Sequence, residues 1–303
     1  MPCDSIQLVF GDNLQLLRDM QKPYFERITL AYMDPPFYTG RRHDRVIRTR
    51  QPTGALDRQH RAAFDDRWAS FSDYLDALRL RVEAVRPLLA PHGCLVIHVD
   101  CRASHYVKVM VDDVFGRQCF ASEIVWRYRR WPAKTHNFQR VHDVLLRWVK
   151  EPSCLPRFVQ LYEPLAASTI KTWGHGKQRA VVGEGGRRQR SSTLSEASPG
   201  VALGDVWDIP IVAPVSRQRT GYPTQKPLAL LDRLIAACTH EGDWVLDPYV
   251  GSGTALVASA SLGRRCIGID SSKEAIDVCT KRLEQLGLSF WKGSHFVPPE
   301  NHA

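Results

Sequence analysis

The sequence has 303 residues and a formal net charge of +9, and 44% of its residues are hydrophobic. This length and composition allow one large domain with a substantial core, alone or with a smaller companion. Eight scattered cysteines without a C-x-x-C pair argue against a structural zinc site and a disulfide framework. No stretch has the length of a membrane span or the pattern of a signal peptide, so we expect a cytoplasmic chain. We also expect no bound metal.

Predicted strands alternate with predicted helices along most of the chain, which is the pattern of a layered α/β domain. The strands are short apolar or β-branched runs, at residues 6–10, 28–33, 94–100, 122–128, 142–149, 244–247 and 266–270. The longer helices have apolar residues on one face, at residues 72–89, 103–115, 228–238, 255–262 and 273–286.

Residues 38–61 contain seven arginines and little periodicity, so we predict a loop there. The excess of basic residues favours a polyanionic partner, and nucleic acid is the partner we expect. We predict that Arg41, Arg42 and Arg45 belong to a mobile flap that contacts phosphate, and a solvated loop is the alternative.

Residues 150–204 interrupt the alternation of strands and helices with several prolines and a tract rich in Gly, Arg and Ser. This composition permits a disordered insertion. The other interpretation is a small inserted DNA-recognition region, in which Arg187, Arg188 and Arg190 would contact DNA.

Two motifs place an acid followed by proline at the end of a predicted strand. The first is Asp34-Pro35-Pro36-Phe37, and the second is the segment Asp247-Pro248-Tyr249-Val250-Gly251-Ser252-Gly253-Thr254. In open α/β sheets, ligands bind at the carboxyl ends of the strands. The prolines stiffen each turn, because proline fixes φ and has no N–H donor.

The second motif has the organisation of a nucleoside-cofactor site. A glycine-bearing turn links the strand 244–247 to a helix, and the next strand ends in Asp270, roughly 17 residues beyond Gly253. The glycines allow the backbone to approach a ligand, and the acid can bind ribose hydroxyls. An acid beside the turn suits a positively charged sulfonium better than a pyrophosphate.

In this order, the motifs resemble those of the beta group of S-adenosylmethionine-dependent DNA amino-methyltransferases. Asp34-Pro35-Pro36-Phe37 is similar to the catalytic motif of the family, and the segment from Asp247 to Thr254 is similar to its cofactor motif. Tyr222 to Pro227 resembles the Q-K-P segment of the family, and Gly11-Asp12 resembles the segment that closes around the adenine of the cofactor.

The resemblance implies a doubly wound, mostly parallel sheet of the S-adenosylmethionine-dependent methyltransferase type, with S-adenosylmethionine as the cofactor. It divides the chain into a catalytic half (1–149), a target-recognition insertion (150–204), a cofactor-binding half (205–290) and a tail (291–303). The cofactor residues implied are Asp12, Asp34, Thr224, Gln225, Lys226, Asp247, Tyr249, Gly251, Gly253, Thr254 and Asp270.

The chemistry implied is methyl transfer to an exocyclic base amine, whose lone pair is conjugated into the ring. Asp34 and the Pro35 carbonyl would accept the amine hydrogens, Pro36 would fix the turn, and Phe37 would stack on the flipped base. Asp at the first motif position is associated mainly with N6 of adenine, and N4 of cytosine is the alternative.

Two alternatives come from other classes: a catalytically inactive DNA-binding protein and a nucleotide-dependent oxidoreductase. The missing third glycine and the Pro35-Pro36 turn count against the oxidoreductase. Double-stranded DNA is the expected partner, at the nucleoid in the cytoplasm. A cognate restriction endonuclease and a homodimer stay open.

Overall fold

The structure, a computed structural model, describes residues 5–50, 56–132, 134, 136–154, 158–176, 180–182, 185–190 and 197–299. The chain divides into two compact units. The larger unit comprises Met1–Phe158 and Asp205–Ala303, and the smaller unit is Val159–Gly204. The first nine residues of the predicted insertion, 150–158, therefore belong to the larger unit.

The larger unit contains a sheet of nine strands. In chain order these are β1 (Ile6–Phe10), β2 (Ile28–Met33), β5 (Leu89–Val99), β6 (Phe120–Arg127), β7 (His142–Val149), β12 (Val206–Asp208), β13 (Trp244–Asp247), β14 (Arg265–Asp270) and β15 (Trp291–Gly293). Across the sheet the order is β12-β6-β7-β5-β2-β13-β14-β1-β15. Strand β7 is antiparallel to β5 and β6, and all other pairs are parallel. The predicted mostly parallel α/β fold is confirmed.

Helices flank this sheet. They are α1 (Asn13–Asp19), α2 (Phe71–Val85), α3 (Ser104–Phe115), α5 (Leu228–Cys238), α6 (Thr254–Ser261) and α7 (Lys273–Gln285), with short 3-10 helices at Arg86–Leu88 and Arg117–Cys119. Helices α1, α2 and α3 pack in series, and α5 packs against α6. The central strands β2 and β13 are buried at every residue, which explains why both read as continuous apolar runs.

The basic stretch predicted as a loop is instead an antiparallel hairpin of β3 (Arg42–Arg50) and β4 (Leu56–Asp65). Neither strand has an alternating apolar face, because charged residues occur on both faces, and the pattern therefore resembles a loop. Near its open end the hairpin packs through Ala63 and Phe64 against Tyr222 and α7. These tertiary contacts stabilise the two strands, although the local sequence does not favour strand structure.

The end of the chain, predicted as a tail, contributes to the sheet as the edge strand β15, which pairs with β1. The contacts continue beyond this strand, because the Val297 carbonyl accepts hydrogen bonds from Gln7 Nε2 and Tyr24 Oη at 2.9 and 2.6 Å. A strand of three residues is too short to show an alternating pattern in the sequence.

The smaller unit consists of short elements. Strand β8 (Tyr162–Glu163) pairs antiparallel with β11 (Val201–Ala202), and β9 (Ala180–Val182) pairs antiparallel with β10 (Arg188–Arg190). One helix, α4 (Ala167–Trp173), lies between β8 and β9 in the described sequence. The role of this unit in DNA recognition stays a prediction.

Candidate active site

The carboxyl ends of the parallel strands border a cavity of about 530 Å³. Asp34 follows β2, Asp247 ends β13, Asp270 ends β14, and Asp12 lies just after β1. All the predicted catalytic and cofactor residues line this cavity except Gly253. Its volume lies in the range of sites that bind small molecules.

Asp34 lies between a lysine and a histidine that come from distant parts of the chain. Its Oδ2 accepts a hydrogen bond from Lys226 Nζ, which also lies 5.1 Å from the centre of the Phe37 ring. Its Oδ1 lies 3.8 Å from His98 Nδ1, is buried, and has no hydrogen-bond partner among the described residues. A buried acceptor without a partner is a favourable site for an incoming N–H donor, because leaving it unpaired is costly.

A buried polar chain lies behind Asp34. His98 is fully buried, with Nδ1 2.9 Å from Tyr32 Oη and Nε2 3.5 Å from Asp143 Oδ2. Burial acts to raise the pKa of Asp143, but the nearby His98 and Lys226 outweigh it, and the pKa is lowered. The Phe37 ring packs on this chain, with its centroid 5.5 Å from that of His98.

Sequence reasoning missed His98 and Asp143 as site residues. The available signal was a single histidine inside the apolar run 94–100, since a polar residue in a buried strand requires a partner. The partner, Asp143, comes from β7, and the antiparallel pairing of β5 with β7 brings the two strands together. That pairing cannot be derived from the spacing of residues in the sequence.

On the opposite side of the cavity, Asp270 is held by backbone amides. Its carboxylate accepts hydrogen bonds from Gly251 N–H at 3.0 Å and from Ser272 N–H at 2.8 Å. Burial raises the pKa of Asp270 to about 6, although these hydrogen bonds act in the opposite direction. Gly251 lies in the left-handed region at φ 48°, which lets the turn bring its amide to the carboxylate.

Gly253 is also left-handed, at φ 75°, but it serves packing. A Cβ at this position would lie 2.7 Å from Cys279 Sγ on α7. Gly251 therefore lines the cavity. Gly253 does not, and it directly precedes α6. Both glycines are required by the turn, for different physical reasons.

Asp247 is buried beside Asp34 and Asp270. Burial raises the pKa of Asp247 well above its ordinary value, against the hydrogen bond that it accepts from Tyr249 N–H at 3.0 Å, and the two neighbouring carboxylates raise it further. A cation in the cavity would relieve this concentration of negative charge.

The end of β1 contacts the turn that follows β13. Asn13 Nδ2 donates a hydrogen bond to the Pro248 carbonyl at 2.8 Å, and Arg81 Nε donates to Asn13 Oδ1 at 2.6 Å. Asp12 caps helix α1 by accepting from Gln15 N–H at 3.0 Å. Asp12 therefore acts as a helix cap at the rim of the cavity, and Asn13 and Arg81 join the predicted site residues there.

The segment before α5 is braced by its own side chains. Gln225 Oε1 accepts from the Thr220 amide at 2.8 Å, and Gln225 Nε2 donates to the Gln218 carbonyl at 2.6 Å. Thr224 has a left-handed φ of 56°, which is unusual for a β-branched residue. This tight turn lets Lys226 reach Asp34, and strained backbone of this kind is often found at functional sites.

The predicted DNA-contacting arginines differ in their environments. Arg41 and Arg42 are exposed at the base of the hairpin, whereas Arg45 Nη1 forms an ion pair with Glu274 Oε1 at 2.5 Å. Arg187 is exposed in the smaller unit. Arg188 and Arg190 belong to β10, and their side chains fall outside the description.

Among the described residues, no group of three or more His, Cys, Asp or Glu side chains is arranged to hold a metal ion. No helix in the same residues is long and apolar enough to cross a bilayer.

An acid on a double-proline turn, facing a glycine turn and a second acid across one cavity, defines a methyltransferase-type site. The chain matches the N6/N4 family described as DNA methylase over residues 28–281. The resemblance predicted from the motifs is thereby confirmed: the chain belongs to this DNA methylase family. Family membership favours methyl transfer over the oxidoreductase alternative.

Particular relatives agree with this assignment. The type II methyltransferase M.HpaI of Haemophilus parainfluenzae is 28% identical over 92% of this chain and 74% of that protein. The DNA adenine methyltransferase YhdJ of Escherichia coli K12 is 25% identical over 91% of this chain and 82% of that protein. The fold is similar to that of the M1.HpyAVI–SAM complex, with a TM-score of 0.56 and 22% identity over 92% of this chain and 98% of that one.

Proposed function

We propose that this chain methylates the N6 amine of adenine in double-stranded DNA, with S-adenosylmethionine as the methyl donor. The observation that carries the proposal is Asp34 Oδ1, a buried acceptor at the cavity without a hydrogen-bond partner in the described structure. An exocyclic amine supplies the N–H donor that this oxygen lacks.

The residues around the cavity fit a sulfonium cofactor with a nucleoside and an amino-acid tail. Asp270 suits the ribose hydroxyls, because an ionised carboxylate accepts strong hydrogen bonds. A sulfonium close to Asp247 would favour the ionised form of this buried carboxylate, and Lys226 suits the carboxylate of the tail. Tyr249, Thr254 and Gly251 complete the walls of this half of the cavity. Bound there, the cofactor would supply an electrophilic methyl group.

The protein's part in the transfer is to direct the amine lone pair. Asp34 Oδ1 and the Pro35 carbonyl each accept one amine hydrogen, which favours a tetrahedral nitrogen whose lone pair points at the methyl group. The bound cofactor would give up its methyl group to the amine nitrogen, with its sulfur keeping the electron pair of the S–C bond, and Asp34 would accept the proton that the nitrogen loses. Phe37 stacks on the base and holds the amine at this position.

Adenine is preferred over cytosine because the catalytic motif begins with Asp34, and a relative that spans most of the chain is named a DNA adenine methyltransferase. N4 of cytosine remains the second candidate, since one family contains both activities. The same contacts to Asp34 and Pro35 would serve either amine.

DNA phosphates are proposed to meet the exposed Arg41 and Arg42 on the hairpin and Arg187 in the smaller unit. Arg45 is proposed to act indirectly, by fixing the hairpin to α7 through Glu274. Action on DNA would place the protein at the nucleoid, as predicted. The restriction endonuclease partner and the homodimer remain predictions.

The test is single-turnover methyl transfer to unmethylated genomic DNA, followed by mass spectrometry of the hydrolysed nucleosides. The wild-type product should be N6-methyladenine, and Asp34→Ala should lower the rate by about 10²–10³-fold. Binding of S-adenosylmethionine and DNA should persist in this variant. N4-methylcytosine as the product would move the assignment to cytosine, and near wild-type turnover by a folded Asp34→Ala would remove Asp34 from the chemistry.

A further inference from the structure

The loop between β6 and β7, described at residues 128–132, 134 and 136–141, presents two aromatic rings to solvent. We call it the aromatic loop. Trp131 is 90% exposed and Phe138 is 96% exposed, which makes them the most exposed aromatic side chains of the described chain. Isolated apolar side chains at a surface need no explanation, but two almost fully exposed rings in one loop indicate a binding surface.

The two rings are held on one short structure. The Tyr128 amide donates to the Val141 carbonyl at 2.8 Å and closes the base of the loop, and Gln139 Nε2 donates to the Trp131 carbonyl at 2.8 Å higher up. Pro132 follows Trp131 and restricts the backbone there. The loop is thus bridged at two levels below its exposed rings.

The charge of the aromatic loop identifies the class of partner. Between Tyr128 and His142 the sequence has four basic residues and no acidic residue: Arg129, Arg130, Lys134 and Arg140. All four side chains are exposed. Cations that alternate with aromatic rings suit a nucleic acid, whose phosphates attract the cations and whose bases offer π-faces for stacking.

The base of the loop is connected to the catalytic aspartate. Tyr128 Oη donates to Asp143 Oδ1 at 3.0 Å, Asp143 lies 3.5 Å from His98, and His98 lies 3.8 Å from Asp34. Strand β6 also runs in the same direction as β2, so the loop leaves the sheet at the edge where Asp34 lies. The loop therefore leaves the sheet at the same edge as the cavity, which is the edge that DNA approaches if its base enters the cavity.

We propose that Trp131 and Phe138 enter the duplex beside the flipped base and stack on the bases that its departure exposes. This inference rests on the proposed function, because extrusion of the target base leaves a gap in the stack and an unpaired partner. Apolar side chains that insert between base steps stabilise distorted DNA in this way. The arginines of the loop would hold the flanking phosphates.

The experiment uses the full chain and oligonucleotide duplexes that carry its recognition site, identified by sequencing DNA from expressing cells. One duplex has the target base correctly paired, and the other has it opposite an abasic nucleotide, so that less pairing is lost on flipping. Trp131→Ala and Phe138→Ala should each lower kcat/KM for the paired duplex by roughly 5- to 150-fold, the equivalent of one lost stack. Both should recover most of this loss on the abasic duplex.

Phe25→Ala is the matched control, because Phe25 is 56% exposed and precedes β2, at the opposite edge of the sheet. It should match the wild type on both duplexes. Wild-type rates for both loop variants on the paired duplex would overturn the inference, and so would equal losses on the two duplexes. If the wild type methylates neither duplex, the proposed function fails, a result that differs from either of these.

Discussion

Two carboxylates face each other across the cavity, and their surroundings differ in origin. Asp270 is held by amides close to it in the chain, those of Gly251 and Ser272. Asp34 is held by Lys226, 192 residues away in the sequence, with His98 on its other side. Asp270 can therefore be assigned from a local motif, whereas the contacts of Asp34 depend on the completed fold.

The difference has a chemical counterpart. Backbone dipoles cannot move away or lose a proton, so they suit a permanent binding contact such as that proposed for Asp270. Lys226 pairs with Asp34 in the structure, and in the proposed reaction this lysine would turn to the tail of the bound cofactor. Oδ1 of Asp34 would then accept a hydrogen of the amine.

The largest effect is expected when the distant contact of Asp34 is removed. Lys226→Met leaves a mostly buried carboxylate without its cation, and it should lower the free energy of unfolding by about 3 kcal/mol. Urea unfolding followed by tryptophan fluorescence measures this loss. The double variant Lys226→Met with Asp34→Asn should recover most of it, because the uncompensated charge is then absent.

Lys273→Met is the matched control, since Lys273 pairs with Asp277 at the surface and is 82% exposed. Its effect should stay below about 1 kcal/mol. A comparably small loss for Lys226→Met would mean that water screens the Asp34 pair as it screens the surface pair, and the contrast between the two acids would disappear.

These contrasts also explain how much the sequence could predict. The β7 range 142–149 and the α5 range 228–238 were predicted to the residue, because each is a clear apolar pattern. The β3–β4 hairpin was missed because its charges occur on both faces, and β15 because it has only three residues. In the site, acids at strand ends were predictable, since parallel strands bring their carboxyl ends to one edge. His98 and Asp143 were not, because strand pairing alone brings them together.

A smaller effect is expected for Asp270, the acid that is held by backbone amides. Asp270→Ala should weaken S-adenosylmethionine binding by about 1.5–3 kcal/mol, the contribution of a charge-assisted hydrogen bond. Isothermal titration calorimetry measures it, with circular dichroism to establish that the glycine turn still folds. Asp277→Ala, which removes a half-exposed acid from α7, should leave the affinity unchanged. Equal affinities for Asp270→Ala and the wild type would remove Asp270 from the cofactor site.

The contact with DNA can be measured independently of Asp34 and Asp270. Arg41→Gln with Arg42→Gln should lower the slope of log affinity against log salt by about two units, if each arginine neutralises one phosphate. Lys22→Gln with Arg117→Gln removes two exposed charges elsewhere and should preserve the slope. Cofactor affinity should be the same in both double variants. An unaltered slope in the first pair would identify the base of the hairpin as solvated surface.

The smallest effect is the pH dependence expected from Asp270. Burial raises its pKa to about 6, so the carboxylate proposed to bind the ribose is mostly ionised only above that pH. The folded protein holds this proton more tightly than the unfolded chain does. The contribution of Asp270 to folding stability is therefore unfavourable at neutral pH and becomes favourable only as the pH falls below about 6. The pH dependence of cofactor binding has the opposite direction, because the ligand competes with the proton. Affinity for S-adenosylmethionine should therefore be nearly constant above pH 7 and fall about tenfold from pH 7 to pH 5, which corresponds to roughly 1.4 kcal/mol. Calorimetry at each pH checks this, with Asp270→Asn as the control that cannot titrate at this position. If the affinity of Asp270→Asn falls at low pH in the same way as that of the wild type, the titrating group is Asp247 or another carboxylate. Asp270 is then not the acid that limits binding.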